Sequence, residues 1–246
     1  MQNTDFTTGQ IHPIECVKES WALIKDEYWI LFAISILGAM IGGVSMYILI
    51  GPMICGIFYC YLRKIDGGRV VFDDLWKGFG YFWQSLLVTI LIVLPIVVYV
   101  IAVFATIYLP IITSAVMGSK ANENAILGTF LVGLAIDIVV AIVMVCIHSL
   151  LIFAFPLIVD RGLSSWDAIK LSARAAMKNF VGIGGLICVN FVLALAGEAA
   201  LCVGIYLVIP IITASNLVAY RKVFPRIGPG PENSVQQAYP GYQNAA

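Results

Sequence analysis

The sequence predicts an all-α fold: a polytopic membrane bundle of about six transmembrane helices, with amphipathic interfacial helices on the cytoplasmic side. Three observations carry this: the composition, four long runs almost free of charge, and a one-sided distribution of Lys and Arg. Of the 246 residues, 61% are hydrophobic and 11% charged, and the mean hydropathy is +0.97. A soluble domain is about 45–50% apolar and about 25% charged. Formal net charge is zero, so no global field points to nucleic acid or to an acidic partner. Residues 1–27 carry Asp5, Glu15, Glu19, Asp26 and Glu27 and no early apolar core, so the first span is expected to act as its own insertion signal.

The first uncharged run, 29–62, would be roughly 50 Å long as one helix, against a hydrocarbon core of about 30 Å. It must fold back. Gly42-Gly43 is the expected bend, giving helices near 28–43 and 46–64, with Gly51-Pro52 kinking the second. The runs 81–118 and 125–159 flank the polar stretch "SKANENA". Each is longer than one span needs and too short for a comfortable hairpin. Each therefore predicts one long helix, tilted or projecting past the bilayer, with kinks at Pro95 and Pro110 in the first. The fourth run, 181–220, holds one charge, Glu198 in "AGEAA", read as a solvated turn between helices near 181–196 and 200–220. The membrane domain thus covers 1–225. Residues 226–246, rich in Pro, Gly, Gln and Asn, predict a disordered tail.

Six spans place every Lys and Arg except Lys120 on the side of the two termini. The positive-inside rule makes that side cytoplasmic. On it lies "SSWDAIKLSARAAMKNF" (164–180), which predicts an amphipathic helix opened by a capping box, Ser164 with Asp167. Trp166, Ile169, Ala173, Ala176, Met177 and Phe180 share one face; Asp167, Lys170, Arg174 and Lys178 share another. Such a helix rests in the interface plane, with Trp166, Lys170, Arg174 and Lys178 as lipid contacts, or else docks a partner.

The device recurs. "FDDLWKGFGYFWQSL" (72–86) aligns without gaps with 166–180, matching Phe72 with Trp166, Asp73 with Asp167 and Leu75 with Ile169. The stretch 14–28 fits the same frame, placing Glu15 on Asp167, Lys18 on Lys170 and Ser20 on Ser172. Asp66 and Asp160 each stand seven residues before the aligned aspartate. "GPMICGIFYCYLRK" (51–64) and "IPIITASNLVAYRK" (209–222) both set Pro eleven residues before Arg-Lys. The chain reads as three parallel units, each an amphipathic helix followed by two spans.

Asp137 and His148 are the candidates for intramembrane chemistry, because ionisable groups inside a span are costly and point to function. Eleven residues apart, they share a helix face with Ala141 and Met144. Either they relay protons or ions, or Asp137 sits at the outer interface while His148 bonds between helices. Asn190, Thr213, Ser215 and Asn216 are read as interhelical hydrogen-bonding groups. Gly38-x-x-x-Gly42 permits close helix contact. The cysteines form no CxxC pair, and all but Cys16 lie in apolar runs; they are read as small apolar side chains. No Walker loop, HExxH or GxSxG occurs. No enzyme site, cofactor or metal is expected.

"AIKLSARAAMKNF", a Gly-rich span and "CVGIYLVIPIITASNLVAYRKVF" resemble a broad group of bacterial six-span membrane proteins. These are related to the membrane domain fused to some glycerophosphodiester phosphodiesterases. The resemblance is best over 155–224. It implies the six-span fold in a bacterial cytoplasmic membrane and transfers no catalytic residue. The resulting expectation is a multi-pass protein acting by interaction or lipid organisation. Its expected partners are membrane lipids and other membrane proteins or a second copy of itself. The other reading is a transporter or channel subunit using Asp137 and His148.

Overall fold

The computed structural model describes residues 6–45, 48–117, 123–199 and 204–226. Lys120, most of "SKANENA" and the C-terminal tail lie outside the described residues. Within them the chain is helical and contains no strand. Five segments are long and apolar enough to cross a membrane: Pro13–Val44, Phe72–Ile112, Leu127–Arg161, Phe180–Ala199 and Gly204–Val223. The protein is thus an all-α membrane bundle.

The first unit is α1 (Pro13–Ile24), a 3₁₀ turn (Lys25–Glu27), α2 (Tyr28–Val44) and α3 (Ile50–Ile65). Pro13 opens α1 at its first turn, where its missing N–H costs nothing. Gly38 and Gly42 bring α2 against α3: a Cβ on Gly38 would stand 2.8 Å from Ile57 Cδ1, and one on Gly42 3.2 Å from Ile50 Cα. The expected kink at Gly51-Pro52 is not needed, because α3 starts at Ile50 and Pro52 falls in its first turn. At 16 residues α3 is about 24 Å long, shorter than the five spans. It is also the most enclosed helix, touching α1, α2, α4, α7 and α10.

The second unit opens with 3₁₀ turns over Phe72–Tyr81, where an amphipathic α-helix was expected. Gly78 and Gly80 disfavour the α-helix. Backbone contact does the rest: a Cβ on Gly56 of α3 would lie 2.1 Å from Leu75 O, and one on Gly78 2.0 Å from Pro52 O. Then come α4 (Phe82–Val103), a π-helical turn (Phe104–Tyr108), α5 (Leu109–Met117), α6 (Glu123–Leu150) and α7 (Ala154–Arg161). Pro95 lies inside α4. Pro110 cannot donate to the carbonyl of Thr106, and the widened π turn sits over that gap. Likewise Pro156 cannot donate to Ile152, and the third run breaks at 151–153 between α6 and α7. Ser172 spans the break: its Oγ donates to Leu150 O at 2.7 Å and accepts from Phe153 N at 3.1 Å.

The third unit is α8 (Ser165–Lys178), α9 (Phe180–Ala199) and α10 (Gly204–Val223). The capping expected at Ser164 is present, its Oγ accepting from Asp167 N at 3.2 Å. Gly162, with φ 61°, closes α7 in the left-handed region. The expected turn at Glu198 is a correction: α9 runs through Ala199, so Glu198 is an exposed residue of its last turn.

The three units close into a ring. The last helix of each packs on the opening segment of the next: α3 on 72–81, α7 on α8, and α10 back on α1. Positions that are equivalent in the aligned frame share their burial in the structure. Cys16, Asp74 and Ala168 are all buried, and four residues on so are Ser20, Gly78 and Ser172. In the core, the Phe153 ring packs tilted against Tyr220 and edge-to-face against Phe224 (ring centroids 6.0 and 5.7 Å). Tyr61 is fully buried with its hydroxyl 2.8 Å from Ser35 Oγ.

Candidate functional site

Carboxylates and bases meet where α3, α7 and α10 end. Arg221 is the hub. Its Nε and Nη2 donate to the two oxygens of Asp66 at 2.9 and 2.7 Å. Its Nη1 and Nη2 donate to those of Asp160 at 2.7 and 2.6 Å. Tyr220 adds a bond from its hydroxyl to Asp160 Oδ2 at 2.7 Å. The Arg221 side chain is 12% exposed and the two aspartates 16% and 14%. Two bidentate pairs on one guanidinium use the planar fork that lysine lacks. The aspartates are the two that the sequence places at equal spacing before the second and third amphipathic segments. That spacing was the available signal, although sequence reasoning gave Arg221 only a role in orientation.

Further pairs ring the hub. Arg63 and Lys77 both bond buried Asp74, Lys64 reaches Glu27 at 3.2 Å, and Lys222 reaches Glu19 at 2.8 Å. Glu27 also accepts from Val70 N at 3.0 Å. Five of the basic residues counted to one side of the membrane, Arg63, Lys64, Lys77, Arg221 and Lys222, are thus tied to acids, and all but Lys77 reach an acid of another element. A cavity of about 400 Å³ opens among them, lined in part by Tyr59, Arg63, Asp66, Asp160, Arg221 and Arg226.

The intramembrane candidates do not converge. Asp137 is 5% exposed and sits opposite the π turn. Thr106 Oγ1 is 2.8 Å from Asp137 Oδ2 and 2.7 Å from Ala102 O, while Asp137 Oδ1 has no hydrogen-bond partner among the described residues. Gly133 makes room for this: a Cβ there would lie 2.8 Å from Thr106 O. His148 lies three turns away, about 16 Å along the axis. Its Nδ1–H donates to Met144 O of its own helix at 2.8 Å. Asn190 joins α9 to α10, donating from Nδ2 to Asn216 Oδ1 at 2.9 Å and accepting from Ser215 Oγ at 3.0 Å. This is the interhelical bonding expected of these residues.

The amphipathic α8 presents three faces where two were expected. Ala168, Leu171, Ser172, Ala175 and Ala176 are buried against the bundle. Of the expected apolar face only Ala176 is buried; Ile169 and Ala173 are half-buried, and Trp166, Met177 and Phe180 point outward. Lys170 and Arg174, with Lys178, form the third side, and Lys170 Nζ lies 5.2 Å from the Trp166 ring centroid. Small side chains carry little hydropathy, so the seam that anchors the helix was hidden by the larger residues beside it. Asn179 then ties the α8–α9 junction to the N-terminal segment, accepting from Gly9 N at 2.9 Å and donating to Thr7 O at 3.2 Å.

Among the described residues no group of three or more His, Cys, Asp or Glu is arranged to hold a metal. Comparison with protein families, curated proteins and solved structures finds no match to this chain.

Proposed function

We propose that this membrane protein acts by lateral interaction, with lipids and with other membrane proteins or a second copy of itself, and without a catalytic centre of its own. The observation that carries the reading is α8. Its small-residue face is fixed to the bundle, while Trp166 and Met177, joined by Phe180 at the start of α9, project as an apolar ridge beside Lys170, Arg174 and Lys178. An apolar ridge flanked by bases suits the boundary between acyl chains and anionic headgroups. The ion pairs at that end support the same reading, because they hold helix ends together and occupy the buried charges. The Lys and Arg asymmetry and the resemblance to six-span bacterial proteins favour a bacterial cytoplasmic membrane with both termini inside.

Two experiments test the proposal. In a cysteine-free background, an impermeant thiol reagent applied to intact cells should label a Cys at position 122 and not one at 234; the reverse pattern would invert the topology. Photo-crosslinkers at Trp166 and Phe180 should capture phospholipid or a membrane protein. Capture of neither would remove the interaction reading.

A transporter is the second reading, favoured by the buried, half-partnered Asp137 at a π turn, since π-helical turns concentrate at functional sites. Proton or ion flux in proteoliposomes, abolished by Asp137→Asn and by His148→Leu, would support it. Wild-type vesicles that pass no ions under varied gradients would end it.

A further inference from the structure

Helix α4 buries no residue after its second turn. Its buried residues, Ser85, Val88 and Thr89, all lie near its start. Gly51 of α3 permits that contact, since a Cβ there would lie 2.5 Å from Thr89 Oγ1 and 2.8 Å from Ser85 Oγ. Beyond it, a cavity of about 350 Å³ opens between α3, α4 and α7. From α4 it is lined by Thr89 and then by Ile92, Val93, Ile96, Val97, Val100 and Ile101. These stand at i, i+3, i+4, i+7, i+8, i+11 and i+12, the spacing of a helix face built to be covered. The facing wall is short, consisting of Ile50, Ile54 and Phe155.

We propose that this groove holds one acyl chain of a membrane lipid. Shape selects the occupant. The lining from Thr89 to Ile101 runs about 18 Å along α4, so a volume of about 350 Å³ open to atom centres gives those centres a track about 5 Å wide, and the slot between the wall surfaces is about 8 Å across. A helix with side chains needs about 10–12 Å. A chain one carbon wide, touching wall carbons at about 3.5–4.0 Å, fits. Chemistry agrees. The Thr89 hydroxyl already donates to Ser85 O at 2.9 Å, so the groove does not supply the two to four polar partners that a buried water needs. Several wall residues, Val97, Val100 and Ile101 among them, are also exposed on the outside of α4. The groove therefore opens sideways, toward lipid. Close-packed interiors leave few voids larger than a water molecule, so a slot of this size calls for a filler.

The inference deepens the lipid-interaction reading and rests on it; the closing experiment separates the two. Full-length protein in mild detergent is examined by native mass spectrometry. Wild type should retain one phospholipid at collision energies that strip detergent. Ile54→Trp and Ile96→Trp, which fill the slot, should lose it, and Ile112→Trp, on the same hairpin beyond the groove, should keep it. In vesicles, a phospholipid with a diazirine in its acyl chain should mark peptides 50–54 and 89–101 of wild type above the rest of α4 and α6, a readout that needs no variant to fold. No retained lipid with even labelling would overturn the proposal, as would retention unchanged in both filled variants. A wild-type dimer lost on filling would also overturn it, naming a second copy as the occupant. Absence of the groove lipid from wild type, with the Trp166 crosslinks intact, would refute this site and leave the interaction reading standing.

Discussion

Replacing Arg221 by Met keeps the stem of the side chain and removes the cation. The carboxylates of Asp66 and Asp160, which share Nη2 at 2.7 and 2.6 Å, would then face each other nearly buried and unpaired. Breaking a buried pair by removing one partner costs about 3–5 kcal/mol, because the remaining charge has lost its water and its partner. Here two charges are left, so the upper part of that range is expected. For a chain of this size each kcal/mol shifts Tm by about 2–4 °C, which for about 4–5 kcal/mol predicts a fall of roughly 8–20 °C. The protein supplies its own probe: Cys16, Cys55 and Cys60 are buried and free, while Cys146 and Cys188 are exposed. After the exposed thiols are blocked, a thiol-reactive fluorophore in detergent reports unfolding as the buried ones emerge. The decisive comparison is a rescue. Asp66→Asn and Asp160→Asn together, added to Arg221→Met, remove the like charges and should recover much of the loss, as coupled neighbours do. Lys222→Met, which breaks a more exposed pair with Glu19, should cost at most about 1 kcal/mol. An Arg221→Met protein that melts within about 2 °C of wild type, or a triple variant no better than the single, would refute the reasoning.

Three further outcomes follow from the same geometry. Gly56→Ala and Gly78→Ala should each lower Tm, since the new methyl would stand about 2 Å from the facing backbone, whereas Gly43→Ala, which meets nothing within 4 Å, should leave it unchanged or raise it slightly; the thiol assay reads both. Thr106→Val removes the one hydrogen bond described for Asp137 and should destabilise by about 1–3 kcal/mol, while Thr106→Ser should not; hydrogen exchange across α5 and α6 would show the loosened hairpin. With the other tryptophans replaced, Trp166 should be quenched most strongly from the headgroup and upper-acyl depth of the bilayer, and quenching only from water would make α8 a docking helix.

The sequence by itself determined the class of the fold and much of its order. Hydrophobic run length and the grouping of Lys and Arg are properties of consecutive residues, so the long apolar helices and the charged end were legible, as was the cap at Ser164. The three-unit frame aligned Ser20 with Ser172, but that both turn inward came from the structure. Tertiary structure alone decided what those positions meet. Arg221 and Asp66 are 155 residues apart, and no local pattern says which acid a base will find. The inward seam of α8 is made of Ala and Ser, whose burial reflects the shape of the neighbouring helices rather than their own hydropathy. Pro110 announced a disturbance in its helix, but that it became a π turn facing Asp137 depended on Gly133, on another helix, leaving room for Thr106. Asp137 and His148 share a helix face in sequence, yet the structure gives them separate partners about 16 Å apart. Periodicity fixes the face of a helix, and only packing fixes what lies opposite it.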